Sequence, residues 1–335
     1  MIYLPLSRML TGAAIVITIA ASSVFSQTPT PTPNPALAPA IKLLRDGENK
    51  KALDSFKRAL KENKADGEAW YYLGIAHLQL GEFKKGSEAF KKAIQLRPDL
   101  AAPAHAGYAY ALVLRNRLNE AVISANTALT VDPKNIEALY TLGIVELRRG
   151  AREEAIKKAE TLIAIKPDFP AAYLLKSQAF VSTGHSVPPN SIAKDERQLR
   201  YRSAADALEK YLQLENDSNL AETWKEQLET LRFHAGDKSD VYMGREVTTK
   251  ARLISKPEPA YTQVARNQQI TGTVVLRCVF ASDGTVKHIL VVQALPSGLT
   301  EQSIVAAKKI KFIPATLNGK PVSMWMQLEY NYNLY

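Results

Sequence analysis

Apolar residues between about residue 40 and residue 234 recur at helical spacing, in units of about 34 residues. Large and small apolar residues occupy fixed positions in each unit, and a proline closes most of them. The clearest unit has Trp70, Leu73, Gly74, Gly81, Phe83, Phe90, Ala93 and Pro98 at these positions. Each unit predicts two helices joined by a tight turn. Because one unit cannot bury its own apolar face, the units are expected to stack into an all-α solenoid.

The same positions recur before and after this unit. They hold Gly47, Ala52, Phe56, Ala59, Tyr108, Ala109, Leu118, Ala121, Ala128, Pro133, Leu142, Gly143, Gly150, Ala155, Leu162 and Pro167. This pattern closely resembles the tetratricopeptide repeat. Small residues such as Gly74 and Gly143 are expected to let two helices approach closely, and large residues such as Phe90 are expected to fill the layer between repeats.

A fifth unit begins at Tyr173 and is interrupted by an insertion at 185–203, so its second helix is predicted from Ala204 to Leu214. The insertion is either a binding feature, as long insertions in repeats often are, or a solvated and partly helical loop. Apolar residues at helical spacing then predict a capping helix from Leu220 to Phe233, which closes the array at residue 234. A polar linker is expected over 235–253.

The pattern changes to strand periodicity near the end of the chain. Segments 272–281 and 285–293 are rich in β-branched residues, and Asp283-Gly284 between them predicts a hairpin. Both faces of the first segment are partly apolar, so a central strand is expected. From Val322 to Asn333 apolar and polar residues alternate, which predicts a strand with one buried and one wet face. A helical stripe from Leu299 to Ile310 lies between hairpin and strand.

These elements, over residues 254–335, resemble the C-terminal domain of TonB-like proteins. The landmarks that carry the resemblance are Lys256-Pro257, Tyr261, Ala265-Arg266, Gly272-Thr273-Val274, Asp283-Gly284, Val286, Phe312, Pro314-Ala315 and Asn318-Gly319-Lys320-Pro321-Val322. One departure is Tyr261-Thr262, where many members have Tyr-Pro. The resemblance implies a small α+β module of αββαβ order with an antiparallel sheet. It also implies that the last strand is a sheet edge, beside which partners add an extended peptide.

An unpaired edge offers a row of main-chain N–H and C=O groups, and side-chain pockets then supply selectivity. We therefore expect a segment of another envelope protein to pair with the last strand. The alternative is that this strand is buried in its own sheet or in a homodimer. The expected pairing residues are Met324, Trp325, Met326, Gln327, Leu328, Glu329, Tyr330 and Asn331.

Tetratricopeptide arrays usually bind peptides in the groove lined by the first helix of each repeat. The groove positions implied here are Tyr71, Ile75, Gln79, Tyr110, Leu114, Tyr140, Ile144, Arg148 and Gln178. Most are aromatic or aliphatic, so an apolar extended or helical segment is the expected ligand. Tyr71 and Ile75 stand where some family members have the Lys and Asn of a carboxylate clamp, which argues against that class. Alternatively, some of these side chains pack only against neighbouring repeats.

The first 26 residues have the pattern of a targeting segment. Arg8 precedes an apolar run from Met9 to Ala21, and small residues precede a cut after Ser26. A cleaved signal peptide and an uncleaved signal anchor both fit. Residues 27–39 contain the sequence TPTPTPNP and predict a short extended linker. Together with the TonB-like domain, this segment predicts export to the periplasm of a Gram-negative-type bacterium.

Composition and motifs argue against catalysis. The net charge of +10 fits attraction to anionic membrane or cell-wall surfaces, or a merely solvated helical surface, better than nucleic acid. The single cysteine, Cys278, cannot form an internal disulfide and is expected to be a core residue. No phosphate loop, nucleophile elbow or metal-ligand spacing is present. The scattered histidines are His77, His105, His185, His234 and His288.

Two functions of different classes remain. The first is a non-enzymatic periplasmic adaptor without a cofactor, which binds one partner in the repeat groove and another on the terminal sheet. The second is a TonB-type energy transducer in transport, which couples an inner-membrane proton-driven motor to outer-membrane transporters. Residues 1–26 contain no histidine of the kind TonB carries in its anchor, and the linker is short. Both observations favour the adaptor, which would contact a membrane only through an uncleaved N-terminal segment.

Overall fold

The computed structural model describes residues 34–186, 191–215, 218–236, 240–267, 270–295 and 297–333. The predicted targeting segment, most of the proline-rich linker and residues 187–190 of the insertion lie outside the described residues. One compact unit ends at Lys176, and a second one begins at Ser177.

The first unit is an all-α solenoid, as the sequence predicts. Consecutive helices pack as pairs, and each pair packs on the next. Short 3-10 turns at Pro35–Leu37 and Pro98–Leu100 precede two of the pairs. The helices are α1 (Ala38–Arg45), α2 (Asn49–Glu62), α3 (Gly67–Gln79), α4 (Phe83–Leu96), α5 (Ala101–Leu114), α6 (Leu118–Val131), α7 (Ile136–Arg149) and α8 (Arg152–Ile165).

The turn inside each of these repeats uses the same backbone geometry. Gly47, Gly81 and Gly150 have φ of 76°, 76° and 80°, and Asn116 takes the equivalent place with φ of 58°. The left-handed region is open to glycine and, among other residues, most readily to asparagine. The repeat that lacks a glycine therefore keeps the turn of its neighbours.

Close packing between repeats centres on the buried ring of Phe90. A Cβ atom added to Gly74 on α3 would lie 2.9 Å from this ring, and one added to Gly107 on α5 would lie 2.6 Å from it. The absence of a side chain at both positions lets α3 and α5 enclose the ring from two sides. Gly143 has the same role toward Leu175, whose Cδ2 would lie 2.5 Å from an added Cβ. The expected use of small residues between helices is thus confirmed.

Three helices of the repeat region reach into the second unit. They are α9 (Pro170–Ser186), which spans the division between the units, α10 (Ser191–Leu214) and α11 (Ser218–Ala235). The helix α11 matches the predicted capping helix, but α10 begins well before the predicted start at Ala204. Two interactions favour the longer helix: Arg200 and Glu196 form an i,i+4 ion pair at 3.1 Å, and the Tyr201 side chain is buried.

The C-terminal domain contains the predicted αββαβ core and adds short strands around it. Its strand order is β1-β7-β3-β4, so β3 is central, as expected, and both of its neighbours are antiparallel to it. A separate ribbon joins β2 to β5. The elements are β1 (Val241–Tyr242), β2 (Arg252–Ser255), α12 (Gln263–Asn267), β3 (Gly272–Phe280), β4 (Val286–Gln293), α13 (Leu299–Lys308), β5 (Lys311–Ile313), β6 (Ala315–Leu317) and β7 (Lys320–Tyr332).

One face of this sheet forms the core of the domain with helix α13. Val279 of β3 is buried on the opposite face, and on this face the buried side chains of β3 are Val274, Leu276, Cys278 and Phe280. They pack with apolar residues of α13 and β7. The cluster includes Val274, Leu276, Cys278, Phe280, Leu299, Ile304, Ala307, Leu328, Tyr330 and Tyr332.

The opposite face of the sheet is covered in part by α11. The Phe233 ring stacks on the His288 ring, with centroids 3.7 Å apart and planes 6° apart. The His234 ring lies 4.8 Å from Trp325 on β7, and the Lys308 ammonium on α13 lies 2.7 Å from the Glu226 carboxylate on α11. The segment at 235–253, which the sequence predicts as a linker, therefore connects two elements that pack against each other.

The packing around Phe90 gives a prediction for Gly74→Ala. The added methyl group would press on the ring, and a tightly packed layer yields little, so we expect a loss of about 1–3 kcal/mol in unfolding free energy. Urea unfolding measures this loss. In a Phe90→Leu background the same substitution should cost clearly less, because the group that it meets is gone. Equal costs in both backgrounds would contradict the assigned contact.

Glu301 in the first turn of α13 gives a prediction about pH. Both of its carboxylate oxygens are buried without a hydrogen-bond partner in the described structure, and burial raises its pKa to about 7. An unfolded glutamate titrates near pH 4.3. The folded protein therefore holds this proton more tightly, and the resulting stability is full below about pH 4 and is lost as pH rises through 7.

We expect Glu301→Gln to raise the unfolding free energy at pH 8 by about 2 kcal/mol and to reduce its decline between pH 5 and 7. Thermal unfolding over this pH range measures both effects. The exposed Glu258→Gln is the matched control and should leave the profile as it is. An unchanged pH profile in Glu301→Gln would show that this carboxyl group is not the titrating one.

Candidate protein-interaction site

The last strand, β7, is only partly covered along the edge that faces away from β3. On that edge Ser323 and Met324 pair in parallel with Val241 and Tyr242 of β1. From Trp325 onward no described strand pairs with this edge. The predicted edge therefore exists. The prediction was wrong for Met324, because β1 already pairs with β7 at that position.

The main-chain groups of β7 alternate between β3 and the uncovered side. In an antiparallel pair, each residue directs its N–H and its C=O to the same side. The carbonyl oxygen of Glu329 accepts a hydrogen bond from the Lys256 ammonium at 2.7 Å, so Glu329 faces away from β3. Trp325, Gln327 and Asn331 lie two or four residues from Glu329 along the strand and therefore face the same side as Glu329. Their N–H and C=O groups therefore face the uncovered side, whereas the even-numbered predicted residues direct theirs to β3.

The side chains on the predicted wet face divide into two groups. Gln327, Glu329 and Asn331 are exposed, and the Gln327 amide donates to the Glu329 carboxylate at 2.9 Å. Trp325 differs, because its ring lies below the Arg277 guanidinium at 4.8 Å and beside His234. Its side chain is half-buried against α11 and is not available as a recognition pocket.

Sequence reasoning missed the contribution of α11 and of Lys256 to this site. The aromatic pair Phe233-His234 at the end of the capping helix could have indicated the contribution of α11. Two adjacent rings at the end of a terminal helix need another surface of the protein to pack against. Lys256 also lies 4.6 Å from the Tyr330 ring centroid, in a cation–π arrangement. Its position at the edge could not be inferred from its place in the Lys256-Pro257 landmark.

The predicted groove residues are mostly not on an open surface. In the first unit, Gln79 and Leu114 are half-buried, and Arg148 is exposed while donating to the Val113 carbonyl at 2.7 Å. Gln178, in the second unit, is half-buried. The other members are buried in the solenoid core, namely Tyr71, Ile75, Tyr110, Tyr140 and Ile144.

The buried aromatic residues of this set form contacts with one another and with neighbouring repeats. The Tyr110 and Tyr140 rings lie 6.4 Å apart, and Tyr140 meets Phe169 edge to face at 5.9 Å. Tyr71 meets Phe90 in the same way at 5.8 Å. Burial raises the pKa of Tyr110 above its usual value. For these residues the structure agrees with the alternative interpretation, in which groove positions pack between repeats.

Two titratable residues, Cys278 and His77, serve packing and a helix turn. Burial raises the pKa of the Cys278 thiol to about 12, so it stays protonated and unreactive. The His77 ring lies 2.5 Å from the Glu82 carboxylate across the α3–α4 turn, and burial lowers its pKa despite this partner. Among the described residues, no three acidic, histidine or cysteine side chains meet as a metal ion would require. The side chain of His185 lies outside the described part.

Comparison with protein families assigns both regions. Residues 257–334 match the family described as Gram-negative bacterial TonB protein C-terminal. Residues 44–168 match the family described as Cytochrome c-type biogenesis protein H TPR domain. Both are protein-interaction domains, and the first associates the chain with the Gram-negative cell envelope. In the described part, helices that could span a bilayer by length and apolar content are absent.

Individual relatives match part of this chain. BBSome complex member BBS4 of Bos taurus is 27% identical over 122 residues, which are 36% of this chain and 23% of that protein. The match thus spans less than a quarter of the curated relative. A thermophilic TPR protein of Thermus thermophilus, TTC0263, is 25% identical with a TM-score of 0.44, over 53% of this chain and 93% of that one.

The structure of pilF of Pseudomonas aeruginosa is 17% identical with a TM-score of 0.45, over 60% of this chain and 85% of that one. The two family matches, together with the sheet at the end of the chain, lead to one assignment. The chain combines a tetratricopeptide-repeat region with a C-terminal domain of the TonB family.

Proposed function

We propose that this protein is a non-enzymatic adaptor of the bacterial envelope, which holds an extended segment of a partner protein on the uncovered edge of β7. The observation that carries the proposal is the set of outward N–H and C=O groups at Gln327, Glu329 and Asn331. A strand laid beside them forms a regular ladder with β7 and extends the sheet. The polar side chains of these three residues flank the added strand.

Two internal contacts limit the length of the open edge. Strand β1 covers it at Met324, and the Lys256 ammonium holds the carbonyl of Glu329. The main-chain groups of Gln327 lie between these contacts. A partner strand that extends past Gln327 must displace the Lys256 ammonium from the Glu329 carbonyl. That carbonyl then accepts a hydrogen bond from the partner in place of the one from Lys256. We infer that pairing starts at Gln327 and proceeds toward Asn331.

The repeat region supplies the second binding element of the adaptor. Most of the aromatic groove positions are buried, so a ligand of the first unit would contact Gln79, Leu114 and Arg148. The exposed part of the Arg148 side chain favours an acidic or carbonyl-bearing group there. Two binding elements on one chain raise the local concentration of one partner near the other.

The edge model predicts the effect of Gln327→Pro. Proline removes the outward N–H at this position, and a strand edge tolerates proline where the missing N–H faces solvent. A photo-crosslinking residue at the exposed Asn333 reports on the partner in intact envelopes. We expect the crosslinked yield to fall about fivefold, because one net main-chain hydrogen bond contributes about 1 kcal/mol.

Two matched variants separate edge pairing from loss of fold. Gln327→Ala keeps the N–H group and should crosslink like the parent chain. Leu328→Pro removes a group directed to β3 and should destabilise the domain in thermal unfolding. Unchanged crosslinking in a folded Gln327→Pro variant would refute pairing at this edge.

A protonophore distinguishes the adaptor from a TonB-type energy transducer. An adaptor binds at equilibrium, so collapsing the proton gradient should leave crosslinking from Asn333 unchanged. A transducer is driven by that gradient, and its crosslinking pattern should change when the gradient is removed. The measurement compares the same cells with and without the protonophore, and a change in pattern would contradict the adaptor.

A further inference from the structure

The ribbon formed by β2 and β5 exposes an unusual amount of apolar surface for so small an element. All of the residues from Arg252 to Ser255 are exposed. Leu253 is 42% exposed and Ile254 is 64% exposed, and Ile313 on β5 is 44% exposed. Single exposed apolar residues are ordinary, but three on two paired strands need an explanation.

The register of the ribbon sends these side chains in different directions. Arg252 pairs with Ile313 and Leu253 with Phe312, and an irregularity between Leu253 and Ser255 leaves Ile254 as an extra residue. Phe312 is buried in the domain, so Leu253 lies on the same side at its rim, whereas Ile313 points to the opposite side. Ile254 protrudes at the bulge.

Cations surround the ribbon. Lys250, Arg252, Lys309 and Lys311 are exposed, and none of them forms an ion pair with a described residue. The chain has no acidic residue from 247 to 257 or from 302 to 328. The charge of these two segments is therefore positive and is not neutralised by acidic residues within them. Such a surface attracts an anionic partner.

We propose that the β2–β5 ribbon is a docking surface for anionic phospholipid bilayers. The lysine and arginine side chains contact lipid phosphates, while Ile254, Leu253 and Ile313 enter the boundary between headgroups and acyl chains. This membrane contact is separate from the N-terminal segment, through which the sequence predicts the only membrane contact. It does not depend on the proposed edge pairing at β7.

A fluid bilayer fits this surface better than a folded protein does. The apolar side chains lie on both sides of a narrow ribbon and at its bulge, and a rigid partner could cover only one side at a time. Lipid headgroups can surround the ribbon from all exposed directions. At headgroup depth the outer edge of β2 stays in contact with water. Its unpaired main-chain groups can therefore hydrogen-bond to water and are not buried in hydrocarbon.

The test uses a polarity-sensitive fluorophore on a single introduced cysteine in the full chain. Ile254→Cys carries the label in the ribbon. Ile123→Cys on α6 is the matched control, because Ile123 is 68% exposed and lies in the other compact unit. Cys278 is buried and stays unlabelled. The probes are phosphatidylcholine vesicles with and without phosphatidylglycerol.

For the fluorophore at position 254, label 254, we expect a blue shift and an intensity gain of at least about twofold with anionic vesicles only. High salt should reverse both changes, because it screens surface charge. Label 123 should not shift, even if another part of the chain brings the protein to the vesicles. The double substitution R252Q/K311Q should weaken the response of label 254 several-fold, and circular dichroism checks its fold.

Three results would overturn the proposal. One is no shift of label 254 on anionic vesicles, and a second is an equal shift on neutral vesicles, which would exclude the role of charge. The third is a shift with poly-L-glutamate but not with vesicles, which would assign the surface to an acidic polypeptide. Gln327→Pro should leave the vesicle response intact, so failure at β7 and failure at the ribbon are distinguishable.

Discussion

The antiparallel pairing of β3 with β7 is the constraint on which the C-terminal domain depends. The register runs without interruption from Gly272 opposite Tyr332 to Phe280 opposite Met324. It fixes which side chains of β7 meet α13 and which meet α11. It also fixes which main-chain groups of β7 remain outside the sheet. A shift by one residue would exchange both sets at once, so the buried core and the binding edge are specified together.

Packing of α11 on the second face of the sheet removes side chains of this domain from water. An isolated αββαβ module would expose Trp325, Arg277 and His288 to water, but here they meet Phe233, His234 and Tyr201 from the repeat region. Burial lowers the pKa of Arg277, and the nearby Tyr201 hydroxyl partly offsets this effect. The capping helix therefore covers part of the second face of the sheet. It leaves the edge of β7, rather than its face, as the surface on which a partner can add.

Periodicity predicted most of the architecture, because each repeat is a local pattern that tertiary context reinforces. The repeat helices, the central position of β3 and the buried face of β7 all followed from residue spacing. The start of α10 did not, since its charged first turns carry no apolar stripe and are stabilised by pairs such as Glu196 and Arg200. The sequence also left open whether Tyr110 and Tyr140 line a groove or pack between repeats. A groove position and an inter-repeat position have the same spacing, and only the packed structure separates them.

The edge contacts could not be predicted for a different reason. Strand β1 is two residues long, and Lys256 acts through a single hydrogen bond, so neither leaves a periodic signal. Both belong to extended segments that pair with distant parts of the chain. The same holds for the ribbon, whose two strands are far apart in the sequence. An isolated bridge joins Thr249, shortly before β2, to Thr316 on β6. A lipid contact at the ribbon and a peptide at β7 would use different chemistry, charge in one case and main-chain hydrogen bonds in the other, and so would not compete for the same groups.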